Sequence, residues 1–123
     1  MKIEISNGEL LDKLSILEIK IGKIQDSEKL VNVRNEFNSL KPLGDTLIPK
    51  VEHWYKQLIE INRLLWEIED TIRDLERRQQ FGDLFIQTAR KVYHYNDERA
   101  RIKKEINRLT HSGLTEEKSY SEY

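Results

Sequence analysis

In the stretch RKVYHYNDERARIKKEIN, Asn96, Arg99 and Lys103 recur at the spacing of one helix face. Steps of three and four residues bring side chains to the same side of an α-helix. On a wheel of about 100° per residue, all three share the arc of Phe85, Ala89 and Val92. A charge on a buried arc needs a partner, because an uncompensated one costs on the order of several kcal/mol. Arginine and lysine answer a carboxylate or phosphate with charge-assisted hydrogen bonds, and an amide can orient it.

A second polar strip, Asn62, Glu69 and Arg73, lies in the preceding segment. If the two segments pair antiparallel with a turn near Gln80 and Phe81, Arg99 falls opposite Asn62, and Asn96 falls opposite Leu65. Glu69 then lies about one turn from Asn96, within reach of an extended arginine. The candidate ligand-binding set is therefore Asn62, Glu69, Arg73, Asn96, Arg99 and Lys103, with Arg99 and Lys103 gripping a small anion. Two other readings stay open. The strip can be a polar layer that fixes register, as one buried asparagine does in a coiled coil, or the helix can protrude so that its arc is wet.

Other chemistry is poorly supported. The acidic group WEIED, with Glu67, Glu69 and Asp70, offers oxygen ligands of the kind Mg²⁺ favours. All-helical nucleotide pyrophosphohydrolases use two adjacent acids and a third three residues on. Here Glu69 and Asp70 are followed by Arg73, a cation at the ligand position. A solvated acidic face with a Glu69–Arg73 pair is the simpler reading. A chorismate-mutase-like bundle would need inward cations from several helices, which the third helix lacks. Residues 90–108 hold seven cations against three acids, yet no base-reading motif accompanies them, so nucleic-acid binding is disfavoured. His53, His94 and His111 have no metal-ligand spacing and read as surface residues. No nucleophile stands beside a base, and no glycine-rich phosphate loop follows a strand. No catalytic residue, metal or cofactor is expected, and the chain leans away from being an enzyme.

These residues need helices to position them. Ser6 and Glu9 have the spacing of a capping box, and Leu10, Leu14, Leu17, Ile21 and Ile24 then repeat at helical steps. This predicts a helix over about 7–25. Leu11, Ile16 and Ile19 widen its arc, so it should have more than one neighbour. Ser27 and Glu28 suggest a new cap and a short helix over about 28–40. The segment KPLGDTLIP, with two prolines, a glycine and an aspartate, reads as a loop. From Pro49, Val51, Trp54, Leu58, Ile61, Leu65, Ile68, Ile72 and Leu75 form a heptad seam. A second stripe runs beside it through Tyr55, Ile59, Asn62, Trp66, Glu69 and Arg73. Gly82 breaks the pattern. A last helix over about 83–109, capped by Asp83 and stopped by Gly113, returns alongside.

The fold class is thus an all-α helical bundle built on a long antiparallel hairpin, about 49–80 and 83–109. The expected organisation is a single domain, 1–123, with 110–123 as a tail. The tail LTEEKSYSEY reads as frayed; if it is ordered, Tyr120 and Tyr123 should dock on the bundle or on a partner. Roughly 30 residues of helix span ~45 Å, long for a globule of this chain length, so either the molecule is elongated or the helix tip leans on another copy.

Composition narrows the class further. Net charge is −1, and 35% of the residues are charged, so no global field draws the chain to nucleic acid or an anionic membrane. There is no cysteine, which removes disulfides and thiolate metal sites and fits a reducing compartment. No apolar run approaches the ~20 residues of a membrane span, and the N-terminus lacks a signal-peptide core. A cytoplasmic protein is expected.

The stretches ISNGELLDKLSILEIKI, LWEIEDTIR, YNDERARIKKEIN and EEKSY together resemble a small family of bacterial and phage proteins of unknown function. The resemblance spans nearly the whole chain and implies a complete protein or module, but carries no activity, cofactor or site residue. The sequence points to a non-enzymatic interaction or accessory module. It should self-associate as a coiled-coil homodimer or bind another helical protein. The alternative is a helical bundle that binds a small anion or processes nucleotides with a metal, using the polar strip.

Overall fold

The computed structural model describes residues 1–123 and contains four α-helices and no strand. They are α1 (Asn7–Lys23), α2 (Ser27–Leu47), α3 (Glu52–Arg77) and α4 (Asp83–Leu109), with a 3₁₀ turn at Ile48–Lys50 before α3. The main axis is the α3–α4 hairpin. α1 packs against both of its helices and against α2, so it has the several neighbours its wide apolar arc requires.

The core gathers Leu10, Leu11 and Leu14 of α1, Val51 beside α3, Tyr55, Leu58 and Ile61 of α3, and Ile102 and Ile106 of α4. It sits at one end of the hairpin, where α1 crosses it. Along the seam, Val51, Leu58, Ile61, Ile68 and Leu75 are buried, while Trp54, Leu65 and Ile72 are half-buried.

Three expectations about boundaries are corrected. The second helix is not short: α2 runs 21 residues, through Pro42 and Gly44, and KPLGDTL is helix rather than loop. Pro42 is exposed, so its ring and its missing N–H face water. Gly44 is buried against Leu14. The glycine permits close helix approach instead of a turn, and the packing of Phe37, Leu40 and Leu47 on the core outweighs the local breakers. Asp26, not Ser27, caps α2 by accepting from the Lys29 N–H at 3.0 Å. The N-cap of α4 is Gly82, with Asp83 as the first helical residue.

Two helix ends share a motif that the sequence hides. After α3, the Gln80 N–H donates to the Leu75 carbonyl at 2.9 Å, and the Gln79 N–H to the Glu76 carbonyl at 3.0 Å. After α4, the Ser112 N–H donates to the Asn107 carbonyl at 2.9 Å. These are Schellman closures. They place Gln79 at φ 55° and His111 at φ 54°, left-handed positions that usually take glycine. Gly82 and Gly113 stand nearby, but neither has positive φ.

Residues 113–123 contain no regular element. This segment turns back along α4: Glu116 pairs with Lys103 and Glu117 with Lys104. The Tyr123 ring meets Tyr93 and His94 with centroids 5.1 and 4.7 Å away. Tyr120 and Tyr123 remain exposed. No helix is long and apolar enough to cross a membrane.

Candidate functional site

The polar residues of α4 meet α1. Arg99 grips Asp12 with both sides of its fork: Nε donates to Oδ1 at 2.9 Å, and Nη2 donates to Oδ2. The Asn62 amide of α3 also donates to Asp12 Oδ1, at 2.9 Å, and to Ser15 Oγ at 2.8 Å. The Ser15 hydroxyl in turn donates a hydrogen bond to the Asp12 backbone carbonyl at 2.7 Å. The Asp12 side chain is 1% exposed and that of Arg99 is 26% exposed. The hydrogen bond to Asp12 raises the Arg99 pKa against the opposing effect of burial. A buried carboxylate with three donors avoids the cost of desolvation without compensation.

One turn on, Lys103 is buried and tied to two carboxylates, Glu9 of α1 at 3.2 Å and Glu116 of the tail at 2.7 Å. Burial works to lower its pKa. The bond to Glu116 and the charges of Asp12 and Glu9 more than offset that and raise it. The predicted capping box is half realised. Ser6 Oγ accepts from the Glu9 N–H at 3.1 Å, while the Glu9 carboxylate goes to Lys103.

At the end of α1, the Gly8 N–H donates to Asn107 Oδ1 at 2.7 Å. A Cβ on Gly8 would lie 2.5 Å from the Lys103 carbonyl oxygen, so only glycine allows this approach. The Asn107 Nδ2 is enclosed with no protein partner. Asn7 completes the seam. Its N–H donates to Ser112 Oγ at 3.0 Å and its side chain to Thr110 Oγ1 at 2.9 Å.

Of the six predicted residues, four share one cleft of about 280 Å³: Asn62, Glu69, Asn96 and Arg99, with Leu65, Trp66, Val92 and Ile16. Arg73 is drawn off to the solvent side, bonded to Glu69 at 2.6 Å. Lys103 belongs to the neighbouring cluster. The partner expected for Arg99, Glu69, is replaced by Asp12. α1 brings a carboxylate closer and buries it, whereas Glu69 is exposed.

Sequence reasoning missed Asp12, Ser15, Glu9, Asn107 and Glu116. The signal for Asp12 was present. On the wheel used for α4, Asp12 and Ser15 share an arc with Gly8, Leu11 and Ile19. An acid and a hydroxyl inside an apolar arc of α1 answer the cation inside that of α4. The histidines are all exposed. Nowhere do three histidine or carboxylate side chains converge.

The stretches ISNGELLDKLS and YNDERARIKKEIN, remote in sequence, thus form one interlocked junction. This chain belongs to a family of unknown function, DUF6165, which matches residues 1–123. Comparisons with curated proteins and with solved structures give no match. Membership of the family brings no activity.

Proposed function

We propose that this member of the family is a non-enzymatic helical interaction module that self-associates. The observation that supports it is the bare face of the hairpin. A groove of about 230 Å³ runs along the α3–α4 seam on the side away from the Asp12–Arg99 junction. Only α3 and α4 line it, through residues including Leu64, Ile68, Leu84, Thr88 and Tyr95. Leu84 in this groove is 63% exposed; Phe81 and Ile86 are exposed too but lie outside it, Ile86 about 200° round α4 from Leu84. The exposed Leu84 and half-buried Leu64 and Tyr95 of the groove favour association, because burying them in a partner removes them from water.

The small-anion alternative would draw on Arg99 and Lys103. Asp12, Glu9 and Glu116 already compensate those charges, so the interaction reading is preferred. Light scattering on the purified protein tests it. The expected mass is about twice the 14.7 kDa chain, and Leu84→Glu should shift it toward the monomer. A clean monomer at high concentration would defeat the proposal.

A further inference from the structure

We infer that the occupant of the bare groove is a second copy of this chain, packed about a two-fold axis parallel to the hairpin, with both tips pointing the same way. This rests on the self-association proposed above and adds its geometry.

Two charged side chains line the groove, Glu67 on the α3 side and Lys91 on the α4 side. Both are exposed, and neither forms an ion pair within the chain. Of the other acids on α3, Glu60 pairs with Arg63, Glu69 with Arg73, and Asp74 with Arg77 and Arg78, while Asp70 and Glu76 are also exposed and unpaired but do not line the groove. The acid and the base stand on opposite helices of one groove.

Symmetry turns this pattern into a choice. In a two-fold contact each subunit presents the same patch. If the axis runs along the hairpin, α3 of one copy faces α4 of the other at the same height. Glu67 then meets Lys91 of the second copy, and the pairing occurs twice. If the axis runs across the hairpin, α3 faces α3 and acid approaches acid, while α4 faces α4 and base approaches base. Opposed charges set register and orientation in helical assemblies. Leu64, Leu84 and Tyr95 supply the apolar contact in either arrangement, so charge decides between them. The groove beside Arg99 is less suited to a second hairpin, because Ile16 of α1 already lies in it.

Charge exchange and distance measurement test the geometry together. Glu67→Lys and Lys91→Glu should each weaken the dimer by about tenfold or more, since each creates two repulsive pairs. The double exchange should bring affinity back to within about threefold of the original protein. The chain has no cysteine, so Gln80→Cys takes a single spin label at the tip. Packed helices lie about 8–10 Å apart, so labels at aligned tips should be within about 30 Å of each other. Tips pointing opposite ways would separate the labels by about 40 Å or more, the length of the hairpin. A dimer with distant labels, or a double exchange that fails to restore it, overturns this geometry and leaves self-association standing. A monomeric wild-type protein overturns both.

Discussion

The two halves of the hairpin are built from the same helices and the same heptad seam, yet they treat polar residues in opposite ways. In the half beneath α1, Asn62, Arg99 and Lys103 lie inward and are tied to Asp12, Ser15 and Glu9 across helices. In the half toward the tip, polar residues pair along their own helix, as Glu69 does with Arg73 and Asp74 with Arg78. The difference comes from cover. Where a third helix excludes water, each polar group needs a specific partner from another element. Where water reaches, an i,i+4 neighbour suffices and contributes little.

The sharpest way to break this comparison is to remove the buried acid. Asp12→Ala strands the Arg99 guanidinium and the Asn62 amide, and should cost about 3–5 kcal/mol in urea unfolding. Glu69→Ala, at the tip half, should cost no more than about 0.5 kcal/mol in the same assay. Equal effects would mean that the two halves are alike after all.

Backbone approach gives the next contrast. Gly8→Ala drives a methyl into the Lys103 carbonyl, which cannot swing aside as a side chain could, and should cost about 1–3 kcal/mol. Gly82→Ala meets nothing within 4 Å and should change stability by no more than about 0.5 kcal/mol. At the same turn, Gln79 holds a left-handed conformation. Gln79→Gly should therefore stabilise by roughly 0.5–1 kcal/mol, read as a raised denaturation midpoint.

The smallest effect concerns the tail. The hydrogen bond from Lys103 holds the Glu116 pKa below its ordinary carboxyl value of 4.5. A depressed carboxyl stabilises fully above its unfolded pKa and loses that contribution as pH falls through the folded value. Lys103, raised above 10.5, gives its share below that value and loses it as pH rises beyond its folded pKa. The tie should therefore hold across neutral pH and release in acid below the depressed Glu116 value. Amide relaxation of residues 114–123 should report mobility there. Glu116→Gln should loosen the segment at pH 7 with little change in global stability.

The sequence made the hairpin legible because Val51 to Leu75 obey a single period and Gly82 interrupts it. It misled at α2, where Pro42 and Gly44 look like punctuation, yet contacts with Leu14 on another helix decide the outcome. It misled again at the Schellman turns, where hydrogen bonding places Gln79 and His111 in a conformation that neighbouring glycines only suggested. Arg99 and Lys103 were readable as charges in need of partners. Asp12 stood out as an acid inside the apolar arc of α1, but its pairing with Arg99 was not readable, because the hairpin geometry offered α3 as the nearest element and nothing local showed that α1 would cross α4 there.

The locked seam between α1 and the end of α4 bears on how the molecule is made. Its hydrogen bonds join residues 87 to 105 positions apart. As synthesis proceeds, the first helix is present long before Arg99, Lys103 and Asn107. Until they arrive, Asp12 has no countercharge, and docking α1 would bury a bare carboxylate. Chain closure therefore has to come late, and a fragment cut short before that point should be held open and exposed to proteases.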